Sequence, residues 1–238
     1  MAISPKLFKK MSKFIVGKMT AGPYDVRLAQ NAEEVAAAQQ LRYEVLFKES
    51  GGLVTKEMLN SQREEDEWDD VAFHVVVVDT RDANVVGTIR LVSKQELAEG
   101  QSFYTEHAFK LDPLLTAYPK ALELSRACVS SKGRGGAILM LLWKFTMNFI
   151  EQNEFDLLFG CASFKGQDYA EHTEILSYLY ERHLAAPKLM PAPRDTMQSV
   201  SIQEFKQKVK SGKERGKVPT LLKGYLKIGA KISDHAII

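Results

Sequence analysis

An apolar strand that runs straight into a glycine-rich loop and an apolar helix is the feature that most constrains the fold of this chain. Residues 122–129 form the predicted strand, residues 130–134 the polar loop SSKGR, and residues 135–152 the helix. Residues 155–162 form a second predicted strand. Strands and helices that alternate in this way favour helices packed against a shared sheet.

The preceding residues predict the rest of that sheet. Residues 24–29 are a short predicted strand, and Asn31 with Glu34 three residues later is the pattern that begins a helix. Residues 53–70 are polar and acidic and are expected to form a long functional loop. Residues 73–79 and 85–92 are strands joined by TRDAN, which indicates a hairpin. This order predicts an α/β protein whose mixed sheet carries helices on both faces.

Charge is distributed unevenly along the chain, although the net charge is only +2. Residues 1–30 carry six Lys or Arg and one acid, and residues 201–231 carry nine and two, whereas the residues between them are acidic. Basic ends suit an anionic partner, which could be a membrane, an acidic protein or a nucleic acid.

The N-terminus has the pattern of a helix that lies on a membrane surface. Between residues 4 and 19, apolar residues recur at helical spacing among five lysines, and Ser4 and Pro5 suit the start of a helix. We therefore expect a basic amphipathic membrane-surface helix over residues 1–20 and one folded domain with a basic C-terminal segment over residues 21–238. A helix that docks on the core is the alternative.

Several kinds of protein are disfavoured. The sequence has no run of about 18 consecutive apolar residues, which a membrane-spanning helix would need. It also has no unbroken apolar block near the N-terminus, which a secretory signal would need. The five histidines lack ligand-like spacing, which predicts no metal site. Cys128 and Cys161 lie in apolar runs and are expected to be reduced thiols in the cytoplasm.

The loop before the long helix is a candidate phosphate-binding site. N–H groups at a helix N-terminus carry partial positive charge, and glycines allow a phosphate to approach them. Lys132 and Arg134 add positive charge, and Gly135 and Gly136 begin the helix. This arrangement suits the phosphate of a phosphopantetheine arm, on coenzyme A or on acyl carrier protein. An ordinary turn is the alternative, because the loop lacks the spacing of the known nucleotide-binding fingerprints.

Charged residues inside the strand of residues 122–129 form a second candidate site. In a regular strand Glu123, Ser125 and Ala127 share one face. Arg126 and Cys128 share the other. Burying these charges is costly unless they are paired. Glu123 is therefore either half of a structural ion pair or a base for an attacking amine, and Arg126 holds a substrate carboxylate or an acidic residue.

Arg42 and Arg90 also occupy apolar settings, one in the predicted helix and one in the strand VVGTIRLV. The acidic loop supplies the expected partners together with a tryptophan that would pack it down: Asp66, Trp68, Asp69 and Asp70. We expect buried arginine–carboxylate pairs around a cleft.

Seven ordered blocks of sequence, spread over roughly residues 24–230, are similar to those of one enzyme family. The blocks are LRYEVLFKESGG, EEDEWDDVAFHVVVVD, VVGTIRLV, FYTEHAF, ALELSRACVSSKGRGGAILMLLW, LLFGCASFKGQD and LLKGYLKIGAK. They resemble the ornithine-lipid N-acyltransferases, also called hemolysin-like acyltransferases, of the GNAT superfamily. Acyl-homoserine lactone synthases share part of the pattern over about the first 130 residues, and the last two blocks favour the lipid enzymes. The family pattern continues past GAK, whereas this sequence stops at Ile238.

The resemblance implies a GNAT-like acyltransferase fold with the acyl donor lying between the strands of residues 122–129 and 155–162. It also implies transfer of a 3-hydroxyacyl chain from acyl carrier protein to the α-amine of L-ornithine, which gives lyso-ornithine lipid. No cofactor would be permanently bound. The implied partners are acyl carrier protein, ornithine and an anionic membrane surface on the inner face of the cytoplasmic membrane, and not nucleic acid.

Backbone N–H groups near Ala127, Cys128 and Val129 would polarise the thioester carbonyl. Because a deprotonated amine is already a good nucleophile, neither Cys128 nor Ser125 is assigned as a nucleophile. Three alternatives stay open: an acyl-homoserine lactone synthase, an N-acyltransferase for glutamine, lysine or glycine, and a non-catalytic protein that binds membranes or nucleic acid.

Overall fold

A six-stranded sheet forms the centre of the first of two structural units. The computed structural model describes residues 14, 17–133, 136–164, 166, 168–208 and 218–237. One unit consists of Met1–Phe103 with Lys120–Gly160, and the other of Tyr104–Pro119 with Cys161–Ile238.

The large sheet has the strand order β1-β2-β3-β4-β6-β7. The described strands are β1 (Met19–Ala21), β2 (Tyr24–Leu28), β3 (Phe73–Asp79), β4 (Asn84–Ser93), β5 (Phe109–Lys110), β6 (Ala121–Val129), β7 (Leu157–Phe159), β8 (Ala192–Pro193), β9 (Ser199–Ser201) and β10 (His235–Ile237). Neighbours from β1 to β6 in the sheet pair antiparallel, whereas β6 and β7 pair parallel. The predicted mixed sheet and the hairpin of β3 and β4 are confirmed.

Six α-helices and one π-helical segment are described. They are α1 (Ala32–Arg42), the π-helical segment (Tyr43–Glu49), α2 (Lys56–Ser61), α3 (Asp112–Ala117), α4 (Ala137–Gln152), α5 (Thr173–His183) and α6 (Thr220–Lys227). α1 begins as predicted, because Asn31 Oδ1 accepts a hydrogen bond from the Glu34 N–H at 2.9 Å. The predicted loop of residues 53–70 is broken by α2, and a 3₁₀ turn (Asp69–Val71) follows it.

Helices cover both faces of the large sheet, as predicted. α4 lies on one face, where Gly87 has no side chain and a Cβ would lie 2.6 Å from Ile138. α1 lies on the other face, where its buried Ala38 packs with Val76 of β3. Because alternate residues of a strand face opposite sides, Arg90 lies on the α1 side of β4.

A β-bulge at Arg126 interrupts β6. Thr88 pairs with Cys128 and Arg90 pairs with Ser125, so two residues of β6 lie opposite one residue of β4. Arg126 has a φ of +54°. This left-handed conformation costs a residue with a side chain about 1–2 kcal/mol. The regular alternation expected along this strand therefore does not hold beyond Ser125.

β6 and β7 separate after three paired residues. Their pairing ends at Glu123 and Phe159, while β6 continues to Val129. The predicted strand of residues 155–162 is thus too long. At Gly160 a Cβ would lie 2.1 Å from the Leu124 carbonyl oxygen, so the close approach of these two backbone segments requires glycine. We call the region beyond the last pair, where β6 continues without pairing to β7, the β6–β7 fork.

The predicted N-terminal helix is wrong for its last residues. Met19 pairs with Val26 in the β1–β2 hairpin, because pairing at the sheet edge overrides the helical periodicity. The Phe14 ring contacts Phe73 and Phe149, with centroids 4.7 and 6.0 Å away. This phenylalanine thus packs against the face of the sheet that α4 covers. Residues 1–13 and 15–16 of the predicted helix lie outside the described residues.

The second unit is built around α5 and α6. Ile175 and Leu179 of α5 pack with Leu222 of α6, and β9 pairs with β10. A 3₁₀ turn (Tyr169–His172) precedes α5, and Ile202–Lys208 forms a 3₁₀ segment. None of the described helices is long and apolar enough to cross a membrane.

Candidate active site

Arg42 lies at the C-terminal end of α1 and is completely buried. Its terminal nitrogens donate to both oxygens of Asp69 at 2.8 and 2.6 Å, which is a bidentate pair. Its Nε lies 2.6 Å from Glu64 Oε2. Gln39, one turn earlier, also donates to Asp69 at 3.0 Å. α1 thereby fixes the acidic segment against the sheet.

Arg90 reaches the same segment from β4. Its Nη1 donates to Asp66 and, at 3.0 Å, to Asp69 Oδ1. Its Nε donates to Ser125 Oγ at 3.0 Å. The Trp68 ring lies 6.0 Å from the Arg90 guanidinium carbon, and its Nε1 donates to the Ser102 carbonyl at 2.9 Å. Trp68 is buried, so it packs the acidic segment down as expected.

Arg126 completes the cluster from β6. Its Nε donates to Glu64 Oε1 at 2.8 Å and its Nη2 to Asp66 Oδ2 at 3.0 Å. The sequence placed Arg126 on the opposite face from Glu123, and that prediction is wrong. The reason is the bulge, whose left-handed residue directs this guanidinium toward the same carboxylates that bind Arg90.

The six side chains close into a ring of alternating charge. Going round it, the members are Arg42, Glu64, Arg126, Asp66, Arg90 and Asp69. Each member contacts two partners of opposite charge, and the ring contains three cations and three anions. We call this cluster the ion-pair ring. Asp70, which was also expected to pair with an arginine, is exposed and is not a member.

Two arginines of the ring favour the ionised form of Asp69. Burial opposes the charge on Asp69, but the hydrogen bonds and charge of Arg42, with the charge of Arg90, hold the pKa of Asp69 well below its usual range. His74 lies on β3 with its Nε2 3.1 Å from the Asp69 carbonyl. Burial lowers the pKa of His74, so its imidazole is neutral and its Nε2 donates to that carbonyl.

Glu123 and Ser125 lie on the α1 side of β6, the side of the ring. Ser125 pairs with Arg90, and Glu123 pairs with Val92, two residues further along β4. Glu123 is fully buried, at the last paired position before the β6–β7 fork. The shared face predicted for these two residues is confirmed. Cys128, expected opposite them, pairs with Thr88 and lies on their side, because the bulge shifts the alternation.

The predicted donor loop follows β6 directly. Ala127 and Val129 are half-buried and Cys128 is buried, whereas Lys132 is exposed. Gly136 caps α4 with a φ of +85°, and the Gly136 carbonyl accepts from the Met140 N–H at 3.0 Å. The preceding N–H groups of the first turn therefore point out of the helix end. Arg134 and Gly135, the other predicted donor residues, lie outside the described residues.

Three residues of the site were not predicted: Gln39, Glu64 and His74. Glu64 was one of six carboxylates in the acidic stretch, and nothing in its spacing distinguished it. Its place depends on the fold of the loop, where the Glu64 N–H donates to the Gln39 carbonyl at 3.1 Å. His74 lies in an apolar strand with no neighbouring signal of its role.

Comparisons with known proteins agree with this architecture. Residues 41–144 match the family model described as acetyltransferase (GNAT) domain. An L-ornithine N(alpha)-acyltransferase of Rhodobacter capsulatus is 33% identical over 92% of this chain and 87% of its own length. The enzyme of the same name from Brucella abortus is 32% identical over 94% of this chain and 82% of its own length.

The chain belongs to the L-ornithine N(alpha)-acyltransferase family. The expected family and its GNAT fold are thus confirmed, and the chain is an acyltransferase. The solved structure of the AHL synthase LasI aligns with a TM-score of 0.42 at 16% identity, over 60% of this chain and 72% of that one.

The ring of this acyltransferase contains three of the six carboxylates in the acidic stretch of residues 64–70. Glu64, Asp66 and Asp69 each bind arginines, and the described part of the chain holds no group of three or more His, Cys, Asp and Glu residues arranged as metal ligands.

Proposed function

We propose that this acyltransferase transfers a 3-hydroxyacyl chain from the phosphopantetheine arm of acyl carrier protein to the α-amine of L-ornithine. The product is lyso-ornithine lipid. The observation that carries the proposal is the likeness, over nine-tenths of the chain, to enzymes named for ornithine and its α-nitrogen. The β6–β7 fork beside the ion-pair ring supports it, because a donor groove and a charged acceptor site are both needed.

The fork is the proposed donor site. Beyond Glu123 the edge of β6 is no longer paired with β7, so its backbone can bind the amide-containing arm of the donor as a neighbouring strand would. The phosphate then lies at the N-terminus of α4 with Lys132, Arg134, Gly135 and Gly136. N–H groups of Ala127, Cys128 and Val129 polarise the thioester carbonyl. The basic C-terminal segment suits an acidic carrier protein.

The ring side of β6 is the proposed acceptor site, formed by the ring residues with Trp68, Asp70 and Ser125. Glu123 accepts a proton from the α-ammonium, directly or through water. The neutral amine attacks the carbonyl carbon, the C–N bond forms and the C–S bond breaks. The pantetheine sulfur leaves as a thiolate and takes up the proton that the attacking nitrogen loses as the amide forms, and no acyl-enzyme forms.

The test is incubation of the full chain with 3-hydroxyacyl carrier protein and a panel of amino acids, followed by mass analysis of the products. We expect an amide of ornithine. Glu123→Gln should lower kcat by about 100-fold or more, since general-base catalysis contributes that much. Glu96→Gln, which alters another buried carboxylate outside the ring, is the matched control. If kcat of Glu123→Gln equals that of the wild type across the pH range, Glu123 is not the base and its role is structural.

We also propose that the enzyme works at the inner face of the cytoplasmic membrane, where its amphiphilic product must go. The basic residues of the N-terminal segment support this. Because Phe14 packs in the first unit, the deletion to test is residues 1–12. Binding of the deleted protein to anionic vesicles should fall, and undiminished binding would place the contact elsewhere.

A further inference from the structure

We infer that the ion-pair ring opens at its Arg126–Asp66 pair to bind the amino-acid acceptor. Arg126 then takes the substrate carboxylate, and Asp66 takes a cationic group on the substrate side chain. This inference rests on the proposed function, because it assumes that the acceptor is an amino acid.

Solvent exposure identifies the point where the ring can open. The side chains of Arg126 and Asp66 are 17% and 18% exposed. Arg42 and Arg90 are 0% and 1% exposed, and Glu64 and Asp69 are 2% and 8% exposed. A substrate that arrives from solvent therefore meets this one pair first. Four members stay buried and hold the two half-buried members in place.

The remaining ion pairs of the ring lower the free-energy cost of breaking the Arg126–Asp66 pair. When the Arg126–Asp66 contact breaks, Arg126 keeps Glu64 at 2.8 Å and Asp66 keeps Arg90. Neither charge is left isolated, which is the costly outcome for partly buried ions.

Charge balance specifies the ligand. The ring is neutral, and each member has two partners of opposite charge within it. A simple anion bound to Arg126 would leave Asp66 with Arg90 as its one ring partner, and a simple cation bound to Asp66 would leave Arg126 with Glu64 as its one ring partner. A ligand that carries both a carboxylate and a distal ammonium replaces both sides of the broken pair. The ligand class is therefore an α-amino acid with a cationic side chain, whose α-nitrogen remains available for attack.

The experiment compares ornithine with two analogues that each lack one charged group. Ornithinamide lacks the carboxylate, and 2-aminopentanoic acid lacks the side-chain ammonium. Arg126→Gln should lower kcat/KM for ornithine about tenfold or more, the usual effect of losing a charge-assisted hydrogen bond, but change it less than about threefold for ornithinamide. Asp66→Asn should show the same pattern, with 2-aminopentanoic acid as the insensitive substrate. Arg126→Lys should restore part of the preference for the carboxylate.

Arg27→Gln is the matched control. Arg27 pairs with Glu34 at 14% and 19% exposure, close to the values of the ring pair, and lies outside the ring. The Arg27→Gln substitution should leave kcat/KM unchanged for ornithine, ornithinamide and 2-aminopentanoic acid. If Arg126→Gln lowers kcat/KM equally for ornithine and ornithinamide, the role of Arg126 is structural and the inference is wrong. If wild type acylates a different amino acid, the proposed acceptor is wrong, and the same comparison with that amino acid and its amide decides the inference. If no amino acid is acylated, both are overturned.

Discussion

Replacing Arg42 by methionine should destabilise the first unit by about 3–5 kcal/mol, the usual cost of removing one partner from a buried ion pair. Arg42 is 0% exposed and binds both Glu64 and Asp69. Asp69 would lose its bidentate pair and Glu64 its contact with Arg42 Nε, and a charge-assisted hydrogen bond contributes about 1.5–3 kcal/mol. Methionine has a similar volume, so little of the loss would come from packing.

Denaturant unfolding followed by tryptophan fluorescence measures this effect. Both tryptophans, Trp68 and Trp143, lie in the first unit, so their emission reports that unit. Lys120→Met is the control, because Lys120 and Glu154 form an exposed pair, 46% and 80% accessible, whose loss should leave the free energy of unfolding nearly unchanged. A loss below about 1 kcal/mol for Arg42→Met would refute the reasoning that the ring depends on mutual pairing of buried charges.

The pH dependence gives a second check on the same variant. The pKa of Asp69 is depressed in the folded protein, so its ionisation stabilises the fold above its unfolded pKa of about 3.9 and that contribution is lost as the pH falls. Without Arg42 most of this depression disappears. The stability difference between wild type and Arg42→Met should therefore narrow as the pH is lowered from about 5 to about 3.

Three further substitutions test the framework around the site. Gly160→Ala should lower the free energy of unfolding by about 1–3 kcal/mol and raise the KM for the acyl donor, because the new Cβ would lie 2.1 Å from the Leu124 carbonyl oxygen. An unchanged denaturation curve and an unchanged KM would contradict this. Phe14→Ala should cost about 1.5–3 kcal/mol in denaturant unfolding, whereas a value near zero would mean that its ring contacts contribute little. Asn31→Ala should cost about 1 kcal/mol in the same assay, since the Glu34 N–H loses its acceptor; Asn31→Asp should retain stability.

The arginine–carboxylate pairing was predictable because a charge inside an apolar element needs a partner. Arg42 and Arg90 each interrupt such an element, and the nearest acidic stretch supplied their partners. The choice of partners was not predictable in the same way. Glu64 replaces Asp70 in the ring because the loop is anchored to α1 by a backbone hydrogen bond, and such an anchor leaves no mark in the order of residue types.

The position of Arg126 shows the limit of periodicity more sharply. A period of two holds only while each residue faces one partner, and the bulge breaks that condition at Arg126. No glycine or asparagine marks the site, because an arginine occupies the left-handed conformation itself. The residue pattern also made the predicted strand of residues 155–162 too long. Residues 160–162 are apolar enough for a strand, yet they pair with no strand among the described residues.

The bulge also connects the two halves of the proposed site. A bulge bends and twists its own strand, and this one lies three residues after Glu123, the last residue of β6 that pairs with β7. The residue that adopts the strained conformation at this bend is Arg126, which carries one edge of the ion-pair ring. The residue at this bulge therefore carries the guanidinium that is proposed to bind the acceptor, next to the stretch of β6 that is proposed to bind the donor. Glu64 and Asp66 hold the side chain of this strained residue in place.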